Sequence, residues 1–142
     1  MDDSNTIEPY QDLVIKLHAA IKNYNYQHAV NITDIMLRSH WLKIMDIRVY
    51  ANAMRGKPDL ALHDAQQIIE SASDLTIGYI RKANTYSMYG YQLNAITVYE
   101  DGLRNTNTKH QQQEIDQLKR EKQQAMAQQE KRIDFFFKGF SY

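Results

Sequence analysis

Residues 77–103, IGYIRKANTYSMYGYQLNAITVYEDGL, read as two helices that meet at Gly90. On the first, Tyr79, Ile80, Ala83, Tyr86 and Met88 recur at helical spacing; on the second, Leu93, Ala95, Ile96, Tyr99 and Leu103 do the same. Gly90 stands where the first helix must stop, because glycine enters the left-handed backbone conformation without steric cost.

Working outward, Ala29, Ala61 and Ala95 lie 32 and 34 residues apart. Five positions before them stand Tyr24, Gly56 and Gly90; one after stand Val30, Leu62 and Ile96; eight after stand Leu37, Ile69 and Leu103. The spacing predicts repeats over about 10–41, 42–75 and 76–109. Each would hold two helices: one opening at Pro9 and closing near Asn23 or Asn25, a second over 26–39, a third over 41–55, and a fourth from Pro58. In the second of these, Ala29, Val30, Thr33, Met36 and Leu37 are expected to face inward. Ser73 and Asp74 offer N-caps for the fifth. With only two prolines and five glycines in 142 residues, the chain has few breaks and the fold class expected is all-α.

The order Tyr79, Ala83, Tyr86, Gly90, Ala95, Ile96, Tyr99, Leu103 resembles the tetratricopeptide repeat, a helix-turn-helix unit of 34 residues. The third repeat carries the likeness best. The second is close through PDLALHDA, while the first has a tyrosine at the turn and the usual late proline is absent throughout. The resemblance implies an α-solenoid of three repeats, in which each buries its apolar face only by stacking on the next.

Residues 1–8 have no pattern and are expected to be disordered. Residues 110–134, rich in Gln, Lys and Glu, form the expected charged capping helix, covering the third repeat through Ile115 and Leu118 with the remainder in water. An aromatic tail, residues 135–142, holds every phenylalanine of the chain: Phe135, Phe136, Phe137 and Phe140. Such a cluster marks a second candidate contact surface.

Composition narrows the function classes. The formal net charge is zero, so nothing global draws the chain to nucleic acid or an anionic membrane. There is no cysteine, which removes thiolate catalysis and cysteine metal sites. No apolar run reaches the roughly 18 residues of a membrane span, and MDDSNTIEPY is no signal peptide. The expectation is an intracellular protein, cytoplasmic or nuclear. His18, His28, His40, His63 and His110 never fall three or four residues apart, and neither a phosphate loop nor a nucleophile elbow is present. No cofactor, metal or catalytic residue is expected.

In tetratricopeptide arrays the first helices of the repeats line a groove that holds a peptide or helix of a partner. The likeness therefore implies groove positions at Val14, His18 and Ile21, at Tyr50, Ala53 and Met54, and at Ile77, Ile80, Arg81, Asn84 and Met88. Arg81 and Asn84 are the polar groups able to orient a partner. One subfamily clamps a chaperone's C-terminal carboxylate with two Lys, two Asn and one Arg. Only Arg81, within GYIRKA, matches; Val14, His18, Ile47 and Ile77 occupy the other places, which argues against that ligand.

The run YEDGLRNT, a charged helix and then QQEKRIDFF is similar to the lead-in to an F-box in fungal F-box/tetratricopeptide proteins, though no leucine-proline motif follows. That likeness implies the repeat portion alone, recruiting a partner to a ubiquitin ligase. The main expectation is a non-catalytic, monomeric protein-protein interaction module. A different class of reading is self-association through the charged helix and the phenylalanines.

Overall fold

The computed structural model describes residues 9–106 and 112–139. Among them there are six helices and no strand: α1 Tyr10–Lys22, α2 Tyr26–Met54, α3 Pro58–Ser71, α4 Thr76–Met88, α5 Gln92–Asn105 and α6 Gln112–Lys138. The architecture is all-α. The expected disorder of 1–8, the start of the charged segment at 110 and Phe140 with its neighbours lie outside the described residues.

Three corners share one hydrogen-bond pattern. At the first, Asn25 N–H donates to Ala20 O at 2.8 Å; at the second, Lys57 N–H to Asn52 O at 2.9 Å; at the third, Tyr91 N–H to Tyr86 O at 2.9 Å. This is the six-residue closure that ends a helix through a left-handed residue. That residue is Tyr24 (φ 57°), Gly56 (φ 79°) and Gly90 (φ 84°) in turn. Asn23 is the C-cap of α1, but neither Asn23 nor Asn25 takes the left-handed conformation that the sequence reading expects of one of them. Tyr24 takes the strained conformation itself, and Asn25 instead caps α2 by accepting the His28 N–H at 3.1 Å. Four residues on from each corner, Ala29, Ala61 and Ala95 donate back to Asn25, Lys57 and Tyr91 and are buried. A side chain larger than alanine would push the two helices of each corner apart.

One expected corner does not exist. The turn placed between residues 39 and 41 is helical, so the expected second and third helices are the single 29-residue α2. The physical reason is compositional: residues 33–51 contain no glycine, proline or asparagine, and nothing there favours leaving the helix.

The chain divides into two compact units, Met1–Ile44 and Met45–Tyr142. In the first, Leu13, Ala20, Ala29 and Ile32 form the core, with Leu17 and Met36 against it. Val30 and Leu37, expected inward, are exposed; Ile32 takes the buried place instead.

In the second unit α3 packs on α4, α4 on α5, and α6 on both α5 and α4. Two glycines allow the closest approaches. A Cβ on Gly78 would lie 2.7 Å from Ile69 Cγ1 and 2.9 Å from the Ile69 backbone N; one on Gly102 would lie 2.9 Å from Tyr79 Cβ. Tyr79, Ala83, Ala95, Val98, Tyr99, Leu118 and Ala125 form the core between these helices. Asp64 is a buried charged residue of α3: its carboxylate accepts from Arg48 Nε (2.8 Å) and Nη2 (2.7 Å), and from Asn52 Nδ2 (3.3 Å). Its pairing is what makes a buried carboxylate tolerable.

Helix α6 covers more than the expected first turns. Beyond Leu118, Ala125 is buried, Lys122 pairs with Glu100 at 3.1 Å, Gln128 accepts from Gln92 at 2.7 Å, and Arg132 donates to Gly90 O at 2.6 Å. Phe135, Phe136 and Phe137 continue this helix rather than forming a separate tail, because no helix breaker precedes Gly139.

Candidate partner-binding face

Four helices of the second unit bring polar side chains to one place. The positions are spaced three or four apart on each helix and so share a face: Asp46 and Tyr50 on α2, Arg81, Asn84 and Met88 on α4, and Glu121, Gln124 and Gln128 on α6. From α5, Tyr99 reaches toward them out of the core.

The electrostatics are settled pair by pair. Arg81 donates from Nε and Nη2 to the two oxygens of Asp46, a bidentate ion pair between α4 and α2. The Arg81 guanidinium is thereby held above its ordinary value: its hydrogen bonds to Asp46 act most, burial opposes them, and Glu121 and Tyr50 add smaller contributions. The Tyr99 hydroxyl donates to Asn84 Oδ1 at 2.5 Å. Burial, and after it the nearby Glu121 carboxylate, push its ionisation well above the usual tyrosine range. Glu121 Oε1 accepts from Gln117 Nε2 at 2.8 Å, whereas its Oε2 is buried without a hydrogen-bond partner. These groups border an open hollow of about 320 Å³, lined by Asn84, Ser87, Met88 and Tyr99 on one side and by Glu121, Gln124 and Gln128 on the other.

The structure sorts the sequence-derived groove residues. Asn84 and Met88 line the hollow. Tyr50 and Met54, which the sequence leaves between core and groove, are 54% and 59% exposed. Ile80 is a correction: at 7% exposure it belongs to the core with Ala83 and Tyr99, since it lies on the face of α4 turned to α5. Arg81, expected as a groove residue, gives Nε and Nη2 to Asp46. Val14, half-buried, and His18, exposed, lie four residues apart on α1 in the first unit.

Sequence reasoning missed Asp46, Tyr99, Glu121, Gln124 and Gln128. A signal for the α6 residues exists. Leu118, Glu121, Ala125, Gln128 and Arg132 follow alternating steps of three and four, the seam of a packed helix. Ranking positions by large apolar residues finds only Leu118 and hides the rest of that seam, since Ala125 is small and Glu121, Gln128 and Arg132 are polar.

A second surface lies at the far end of α6. An open hollow of about 400 Å³ is bordered by Tyr91, Leu93, Ile133, Phe136 and Phe137, with Arg132 at its edge. Beside it Phe135 is 83% exposed. The rings of Phe136 and Phe137 meet edge to face with centroids 6.0 Å apart.

Set against family models, curated proteins and solved structures, the chain matches none. Among the described residues, no three His, Asp or Glu side chains are grouped to hold a metal ion, and no helix is long and apolar enough to cross a membrane.

Proposed function

We propose that this chain is a tetratricopeptide-type interaction module that works inside the cell without catalysis. On this reading it binds a peptide or helix of a partner protein along the face formed by Tyr50, Met54, Asn84 and Met88. The three corners with one hydrogen-bond pattern and three buried alanines in register support the repeat reading. The observation that carries the functional reading is the pairing of exposed apolar side chains with amide groups on this face. Apolar area supplies binding energy and fixed polar groups supply orientation.

The test is the double variant Tyr50→Ala/Met88→Ala, which removes contact area without adding charge. Both side chains are half-exposed, so the melting temperature should hold. Recovery of the partner from a cell extract should drop by about tenfold or more. Undiminished recovery would count against the face.

A second reading is favoured by one observation, the exposure of Phe135 and its neighbours on α6. Exposed aromatics of this kind suit pairing with a second copy. A concentration-dependent dimer in sedimentation, abolished by Phe135→Asp, would support it; a monomer at all concentrations would remove it.

A further inference from the structure

We propose that the hollow beside Tyr99 is a subsite for a cationic side chain, lysine or arginine, of the bound partner, with the Glu121 carboxylate as its counter-charge. The inference rests on the reading of this face as a peptide groove, and it names what the groove takes at one point.

The first support is an unmet need. Glu121 Oε2 is buried and accepts nothing, although its sister oxygen is held by Gln117. A buried carboxylate oxygen without a donor is costly and is normally satisfied. Three nearby donors among the described residues are directed to other groups. Arg81 gives Nε and Nη2 to Asp46, Lys122 pairs with Glu100, and the Tyr99 hydroxyl donates to Asn84 with the Glu121 carboxylate also within its reach. Because Arg81 and Asp46 neutralise each other, Glu121 is the charge left over.

The second support is the lining. Glu121 is the one carboxylate bordering the hollow, whose other walls are the Asn84, Gln124 and Gln128 amides and the Met88 side chain. A divalent metal ion would require several oxygen ligands with more charge than this. A lysine or arginine needs less: one carboxylate, amide oxygens for its remaining N–H groups, and an apolar wall along its methylene stem. The field from Glu121 that acts on Tyr99 agrees with a carboxylate poorly shielded by water.

The experiment follows the side-chain amide signals of Asn84, Gln124 and Gln128 by NMR in the full chain. Three probes are added in turn: the N-acetyl methylamides of lysine, arginine and norleucine. The lysine and arginine probes should produce saturable shifts that weaken with salt, and norleucine should bind at least about tenfold more weakly. Glu121→Gln should erase the difference between the probes while leaving the melting temperature at or above that of the wild type. Equal response to norleucine would overturn the cationic subsite and leave the groove standing as an apolar one. Cation binding unchanged in Glu121→Gln would overturn the role of Glu121. No response to any probe would remove the subsite, with the groove then judged separately by the Tyr50→Ala/Met88→Ala variant.

Discussion

Arg81 and Asp46, 35 residues apart in sequence, form a bidentate ion pair between α4 and α2. The arginine that the sequence offers as a group able to orient a partner therefore gives Nε and Nη2 to a carboxylate of its own chain. The pair ties α2 to α4 beside Tyr50, with the Glu121 carboxylate also acting on Arg81.

Reversing this charge should destabilise the protein. Arg81→Glu sets a carboxylate against Asp46 and near Glu121 on a partly buried face. A loss of about 2 kcal/mol is expected, less than for a fully buried pair because water still screens Arg81. Denaturant unfolding checks it: the midpoint should shift markedly in Arg81→Glu. An unshifted midpoint would mean that the pair contributes nothing.

Stability should fall in alkali through Tyr99 and Tyr79. Burial raises both hydroxyls above the ordinary value of 10.0, so the folded chain keeps protons that the unfolded chain releases. This contribution is complete below pH 10 and is lost as the pH rises beyond it. Tyr79 and Tyr99 should ionise together with unfolding, when absorbance at about 295 nm and circular dichroism are followed in one titration. Ionisation of all ten tyrosines near pH 10 with the fold intact would contradict the burial of Tyr99.

Most of the helices were legible because glycine and proline punctuate them. Gly56, Pro58 and Gly90 bound α3 and α4, and the alanine register located the corners, including the one at Tyr24, where no glycine marks the turn. The register also invited an error. By analogy with the third repeat it required a turn near His40, where the local sequence offers no glycine, proline or asparagine to end the helix. Of the candidate site, Asn84 and Met88 were legible from helical phase. Ile80 was not, because phase alone does not say which flank of α4 meets α5. Glu121 was hidden because a glutamate in a charged run normally signals solvent, and only burial against Tyr99 gives it another meaning.

The continuity of α2 has its own test. His40→Pro removes a hydrogen bond and sets the proline ring against the Met36 carbonyl, four residues earlier in the helix. In a helix interior this costs about 3 kcal/mol or more. A broken corner, as the repeat pattern expects, would accept proline with little change. The unfolding midpoint and the helical signal of the variant distinguish the two outcomes.

The central claim, that a partner lies along the face of Met54 and Met88, is tested most directly by site-specific photocrosslinking. A benzophenone side chain replaces Met54, Met88 or, as control, the exposed Lys119 on α6. The same partner protein should be crosslinked from positions 54 and 88, lysine-rich peptide added in excess should suppress both adducts, and position 119 should yield none. Equal crosslinking from all three positions, or adducts from 119 alone, would contradict it.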